Sequence, residues 1–281
     1  MVAVNVSPAF VERRLALVLL DIIGSTAFVQ KNGAKVAAAW FQVHDRLTRS
    51  LVYKHQGREI DRSDGFLLSF DDPLDAVNFA LRYQEKIPSK TPFKTRIGIH
   101  WTCIVEVEQD EGLVIMGAKR VELEGIGKNI VAARTMSVCG AGQVLLTSEA
   151  MQAVKYRTSP DTPKKTRFAC VGLYQFKGVK DPVKLFAVGV SIESLQPPQS
   201  SEKVKRLAGP TEIKSKLKHM KIKEIALLIY NRLAIMSFIF WAILLIRLCF
   251  YSFGRDLLDV QELQDFIRFV LSYWHEIEKR L

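Results

Sequence analysis

Apolar residues crowd Leu15 to Leu20, a run that ends in Asp21, two isoleucines and Gly24-Ser25-Thr26. An apolar run this short, closed by a Gly-Ser turn, predicts a buried strand that opens into a helix. Ala34 to His55 has helical spacing, with Val36, Trp40, Phe41, Val43, Leu47 and Leu51 as its apolar face, and Gly57 ends it. Arg58–Arg62 and Phe66–Phe70 read as two strands joined by Ser63-Asp64-Gly65, since Asp-Gly between such segments signals a hairpin. Asp72 and Pro73 start a second helix that runs to Ile87. Thr95–Glu106 alternates as a strand, Gly125–Cys139 is helical, and Gln143–Thr147 is a strand whose successor Ser148 caps a short helix. Arg167–Val171 and Leu173–Val190 give the late strands, with a turn at Gly178 or at Asp181-Pro182. The order predicts an α+β, ferredoxin-like βαββαβ fold with added αβ elements.

Beyond residue 190 the pattern changes. Pro197-Pro198 and Ser200-Ser201 mark a linker, and eight Lys/Arg fall between Lys203 and Lys223. Leu233–Ile246 then carries no charge over fourteen residues, and the apolar run resumes after Arg247 as far as Phe253. Leu233–Phe253 is long enough to span a bilayer if Arg247 snorkels, and the lysine-rich flank would stay in the cytoplasm. A buried dimerisation helix or an interfacial one fits the same residues. Leu257, Val260, Leu263, Ile267, Val270, Trp274, Ile277 and Leu281 give the tail an amphipathic face. The expected division is therefore a catalytic domain over 1–190, a basic linker over 191–224, a membrane-associated helix over 225–253 and an amphipathic tail over 254–281.

Charge refines this picture more than composition does. The net charge of +11 asks for an anionic partner, but much of the excess lies in the linker, beside an apolar helix and without interleaved aromatics. A lipid headgroup fits that placement better than a nucleic acid. The four cysteines are scattered without Cys-x-x-Cys spacing, which argues against a zinc site or a disulfide framework. Glu12, Arg13 and Arg14 precede an apolar run too short for a signal peptide, so the folded part is expected in the cytoplasm, anchored to the inner membrane.

The candidate chemistry sits at the two turns. Asp21 ends the first strand beside a helix N-terminus, where the N–H groups of Ile22 to Thr26 would favour phosphate. In a split βαβ sheet the hairpin lies against the first strand, which would bring Asp64 to Asp21. Two carboxylates beside a phosphate cradle make a two-metal phosphoryl-transfer site. Taken singly, Asp21 reads equally as a helix cap and Asp64 as an ordinary turn residue.

Five segments, in this order and spacing, resemble the class III nucleotidyl cyclases: Asp21-Ile22-Ile23-Gly24-Ser25-Thr26, Ser63-Asp64-Gly65-Phe66, Ile97-Gly98-Ile99-His100, Ala132-Ala133-Arg134 and Phe176-Lys177-Gly178-Val179. The resemblance covers residues 15–190. It implies a homodimer with active sites at the shared interface. Asp21, Asp64 and the Ile22 carbonyl would hold two Mg²⁺ or Mn²⁺ ions, and Gly24, Ser25 and Thr26 would cradle phosphate. Arg134 would match the transition-state arginine and Lys177 the lysine on the triphosphate. The product would be a 3′,5′-cyclic nucleotide, with pyrophosphate released.

Two positions depart from the family pattern. The asparagine usually found four residues before the arginine is replaced by Ile130, with Asn129 one place further back. At the base-selecting position four residues before Asp64 stands Ile60, flanked by Asp61 and Arg62, and its partner position falls near Glu122 to Glu124. The missing purine determinants favour a pyrimidine cyclase acting on UTP or CTP, similar to the Pycsar anti-phage enzymes. An adenylate cyclase that reads adenine through other groups is the second reading. A membrane-anchored nucleotide sensor without catalysis is the third.

Overall fold

The computed structural model describes residues 9–63, 65–125, 132–157, 159–210, 212 and 268. Asp64, Asn129 and Ile130 lie outside the described residues, as does everything expected of the hydrophobic segment and the tail except Arg268. All described residues but Arg268 belong to one compact unit spanning 1–215.

Among them, nine strands form one sheet. The strands are β1 (Ala9–Ile22), β2 (Gly57–Arg62), β3 (Gly65–Phe70), β4 (Thr95–Glu108), β5 (Val121–Glu124), β6 (Val144–Thr147), β7 (Arg167–Phe176), β8 (Val183–Gly189) and β9 (Val204–Ala208). Their order is β2-β3-β1-β4-β6-β8-β7-β9, with β5 paired to β4, and β4–β6 is the parallel pair. The helices are α1 (Ser25–Asn32), α2 (Ala34–Lys54), α3 (Pro73–Lys90), α4 (Glu111–Ile115), α5 (Ala132–Ser137) and α6 (Ser148–Val154). This is a mixed α+β architecture built on a large sheet.

Strand alternation gives the sheet two different faces. On one, Ala16, Val18, Leu20 and Ile22 of β1 join Phe66, Leu68 and Phe70 of β3, Ile97 and Ile99 of β4, and Val144 and Leu146 of β6. Helices α2, α3 and α6 cover that face and bury the main core. Asp72 starts α3 as expected: its carboxylate accepts a hydrogen bond from Leu74 N at 2.8 Å, with Pro73 in the first turn. For α6 the cap is Thr147, not Ser148.

Helix α2 forms where periodicity predicts it, and Phe41, Leu47 and Leu51 of the expected face pack on the main core, but the inward stripe is rotated toward polar positions. Ala37, His44, Thr48, Leu51 and Val52 are buried, while Val36, Trp40 and Val43 are 49%, 37% and 42% exposed. Two polar residues occupy the buried stripe because they find partners there. His44 Nε2 lies 2.6 Å from the Tyr83 hydroxyl, and Thr48 Oγ1 donates to the His44 carbonyl at 2.8 Å. A hydropathy count that scores both as surface residues widens the inward face to Val36, Trp40 and Val43.

The second face carries Leu15, Leu17 and Leu19 of β1, with Ile104 of β4. The distal half of β4 and its partner β5 curl over this face, so that β5 reaches β2 although three strands separate them in the sheet. Val121 and Leu123 close the cluster, and Arg58 and Arg13 both pair with Glu106 across the fold. Both α4 and β5 lie in a stretch where no element was predicted.

The late strands also differ from expectation. Strand β7 runs unbroken through Gly172, where a bulge shifts its register against β8. Cα geometry explains the glycine: a Cβ at Gly172 would lie 2.6 Å from the Ala208 carbonyl oxygen, and φ is +141°. That carbonyl belongs to β9, which pairs with β7 over Leu173–Phe176. Part of the span expected as a basic linker is thus an edge strand, because Val204 and Ala208 are buried while the residues between them face outward. Among the described residues no helix is long and apolar enough to cross a membrane.

Candidate active site

Asp21 has the parity of Leu15, Leu17 and Leu19, so it ends β1 on the face away from the main core. The β1–β3 register sets it opposite Gly65, one residue from Asp64. Only glycine fits there, since a Cβ at residue 65 would stand 2.2 Å from the Leu20 carbonyl oxygen. The close approach seats Gly65 directly against the end of β1.

On the other side Asp21 faces Arg96 of β4. The guanidinium donates to Asp21 Oδ2 from Nε at 3.1 Å and from Nη2 at 2.7 Å. Both bonds converge on one oxygen, and among the described residues Oδ1 takes no hydrogen bond. Arg96 Nη1 also donates to the Ser137 carbonyl at 3.3 Å, tying Asp21 to the last turn of α5. Arg96 was missed in the sequence, although it directly precedes Ile97-Gly98-Ile99-His100. Pairing the first strand with that segment by parity would have found it.

Fewer N–H groups are open at the expected phosphate cradle than the sequence suggests. Ile23 N–H donates to the Lys94 carbonyl at 2.8 Å, so it is not free for an anion. Gly24 turns the chain with φ 72°, and the first helical bond runs from Phe28 N–H to the Gly24 carbonyl at 2.9 Å. The N–H groups of Ser25, Thr26 and Ala27 therefore precede the helical ladder at the N-terminus of α1. No side chain caps it.

Helix α5 packs on the same sheet face as Asp21, against β1 and β4. It carries Arg134, half-buried, whose Nε is buried and has no hydrogen-bond partner among the described residues. A cation so placed has an unmet demand for an anion. Cys139 follows the helix. Burial pushes its thiol up to about 12, so it is inert at neutral pH. Lys177 is exposed in the β7–β8 turn, where its N–H donates to the Lys203 carbonyl at 3.0 Å. Strand β7 stands four places from β1, roughly 19 Å at the usual strand spacing. One protomer does not bring Lys177 to Asp21.

The region expected to select the base holds a second difference. In the β2–β3 register Glu59 faces Leu68 and Asp61 faces Leu67, so Ile60 is bulged out of the ladder. Simple alternation would turn Asp61 toward α2 and Arg62 toward the open face. The bulge reverses them. Arg62 instead bonds Asp45 of α2 at 3.2 Å and lies over the Phe66 ring, while Asp61 shares the open face with Ile60 and pairs with Lys119. That hydrogen bond from Lys119 holds the Asp61 carboxyl below the ordinary aspartate range. At the expected partner position, Leu123 points inward, and Glu122 and Glu124 alternate away from it.

No family model and no curated protein matches the sequence. Solved structures do match the fold. The adenylyl cyclase CyaB from P. aeruginosa superposes with a TM-score of 0.57 at 17% identity, covering 66% of this chain and 99% of that one. The guanylyl cyclase Cya2 superposes with a TM-score of 0.54 at 21% identity, over 66% of this chain and 98% of its own. The chain has the class III nucleotidyl cyclase fold. The guanylate cyclase domain of RhGC from Catenaria anguillulae, solved with GTP, gives a TM-score of 0.53 at 18% identity, with 63% of this chain and 97% of that one covered. The class III fold thus carries adenylyl and guanylyl cyclases alike among these relatives, and it does not choose a base.

Proposed function

We propose that the protein is a class III nucleotidyl cyclase, converting a nucleoside triphosphate to a 3′,5′-cyclic nucleotide and pyrophosphate. The observation that carries this reading is the β1–β3 register, which sets Gly65, the residue that follows Asp64 in sequence, opposite Asp21 on a cyclase fold. The carboxylate chemistry suits hard divalent cations, because among the described residues Asp21 Oδ1 takes no hydrogen bond, and Asp64, next in sequence to the Gly65 opposite Asp21, would add a second carboxylate. Asp21, Asp64 and the Ile22 carbonyl would hold Mg²⁺ or Mn²⁺, which when bound lower the pKa of the ribose 3′-hydroxyl and neutralise the triphosphate.

The chain's own residues supply the rest. Backbone N–H groups of Ser25 and Thr26, opened by the Gly24 turn, orient phosphate oxygens. Arg96, bonded to both Asp21 and the Ser137 carbonyl, holds the Asp21 carboxylate in place and adds positive charge beside the triphosphate. As the 3′-oxygen attacks the α-phosphorus, charge grows on the equatorial oxygens and on the departing pyrophosphate. Arg134 answers the first and Lys177 the second, with Asn129 orienting the ribose. The distance of Lys177 from Asp21 within one protomer supports a homodimer in which each site takes its carboxylates from one copy and Arg134 and Lys177 from the other.

We further read the substrate as a pyrimidine nucleotide, UTP or CTP, made into a cyclic alarm signal of anti-phage defence. Ile60 at the base position supports this, and an adenylate cyclase is the second reading. The segment 233–253 would hold the enzyme at the inner membrane, its catalytic part in the cytoplasm. Incubation of the full chain with Mn²⁺ and each of the four NTPs, followed by mass identification of the product, tests the reading. A cyclic product is expected from one of them. Pyrophosphate release from none would leave the sensor reading.

A further inference from the structure

We infer that Asp61 and Lys119 together read the hydrogen-bonding edge of the base, and that they separate amino-bearing from oxo-bearing bases. This inference rests on the nucleotidyl cyclase reading above. Three observations carry it. The bulge at Ile60 is what turns Asp61 onto the face that bears Arg134, in place of Arg62. Lys119 arrives from a different segment, the β4–β5 connection, and bonds the same carboxylate. Beside the pair lies an apolar rim of Ile60, Leu19 and Val121, each partly buried and packed on the cluster of Leu15, Leu17 and Leu123. An apolar rim next to one acceptor and one donor is what a planar heterocycle needs.

The chemistry then follows from the base edges. An ionised carboxylate only accepts, and an ammonium only donates. Adenine and cytosine present an amino donor and then a ring-nitrogen acceptor. Guanine and uracil present a carbonyl acceptor and then a ring N–H donor. The order is opposite in the two groups, whatever the ring size. An acid and a lysine held in fixed order therefore accept one group and leave both partners unpaired against the other, a mismatch that costs far more than a missing contact. Side chains of Lys119 and Asp61 are 54% and 32% exposed in the single protomer, so a second copy closing over this face would supply the desolvation that makes the mismatch costly.

The deciding variant exchanges the two residues, Asp61→Lys with Lys119→Asp, keeping the ion pair while reversing donor and acceptor. Non-cyclisable 3′-deoxy analogues of ATP, CTP, GTP and UTP are titrated with Mn²⁺ into the full-length protein and its variants by calorimetry, alongside pyrophosphate release from the four NTPs. The wild type is expected to favour amino over oxo bases, or the reverse, by about 10-fold or more. The exchange should invert that preference, and Asp61→Ala should flatten it. An exchanged protein that keeps the wild-type preference would show the pair to be only a latch on the β5 arm, and would overturn the inference. So would a wild type that binds no analogue or does not separate the two groups. Should the exchanged protein fail to fold, Asp61→Ala and Lys119→Met decide by themselves: unchanged preference in both rejects the inference. Binding that inverts without any pyrophosphate release would sink the cyclase reading and keep this one. Release with an unmoved preference would do the opposite.

Discussion

Replacing Gly65 with alanine tests the contact on which the site is built. A Cβ there would sit 2.2 Å from the Leu20 carbonyl oxygen and 3.6 Å from Asp21 Cα. The first distance must open by about 1 Å to reach ordinary contact, and both atoms belong to backbone, so no side chain can rotate away. Overpacking of this kind costs about 1–3 kcal/mol. In a folded unit of this size each kcal/mol lowers Tm by about 2–4 °C, giving a drop of about 2–12 °C. The chemical effect should be larger. A shift of about 1 Å between the Asp64 turn and Asp21 would lower kcat by about 10²-fold. Gly57→Ala is the control: its Cβ would crowd the buried Phe70 ring at 2.5 Å, at the end of the β2–β3 hairpin away from Gly65. Thermal unfolding and pyrophosphate release with Mn²⁺ are measured on both. The expected result is comparable destabilisation with rate loss confined to Gly65→Ala. Equal rate losses in the two variants, or an unperturbed Gly65→Ala, would refute the claim that this register positions the site.

Four further outcomes are expected. Asp21→Asn should abolish turnover while changing stability by no more than about 1 kcal/mol, since its partner Arg96 is partly solvated; chemical denaturation and turnover read the two effects separately. Mixing Asp21→Asn with Arg134→Ala, each inactive alone, should restore about a quarter of wild-type activity, because half the dimers are mixed and each has one intact site; no recovery on mixing would contradict a shared site. Burial holds His55 and His100 below the ordinary histidine pKa, so the unfolded chain binds more protons, and stability should be full above about pH 6.5 and fall as pH drops through it. Urea denaturation across that range, repeated on His100→Gln, should show the dependence and then its reduction. Deleting residues after Ser215 should release the protein from membranes in a flotation assay, and a truncated protein that still floats would remove the anchor.

Much of this was legible in the chain. The apolar run Leu15–Leu20 marked the second half of β1, the Asp-Gly signal marked β3, alternation marked β4 and Asp72-Pro73 marked α3, because burial, turns and capping are local signals. Asp21 could be placed at a strand end for the same reason. The open-face chemistry was harder to read. Ile60 and Asp61 differ from simple alternation by one inserted residue, and nothing in Gly57–Arg62 marks the bulge, which is imposed by partners on both sides: Arg49 on Glu59, Asp45 on Arg62, Lys119 on Asp61. Strand β9 was hidden by its charges. Only its two ends are buried, so its composition looks like a linker, and the pairing that makes it a strand lies some 30 residues away in β7.

That edge strand sets where the protein can be cut. A chain ended at Val190 would strip β9 from β7 and leave the N–H and C=O groups of Leu173–Phe176 open to solvent, next to the turn that holds Lys177. An exposed, apolar strand edge recruits further strands from neighbouring molecules, so such a truncation is expected to precipitate or to form chains of molecules joined edge to edge. The smallest soluble piece should extend at least through Ala208, and Lys203 and Lys205, which looked like part of a basic tether, serve as the charged border that keeps the sheet from growing.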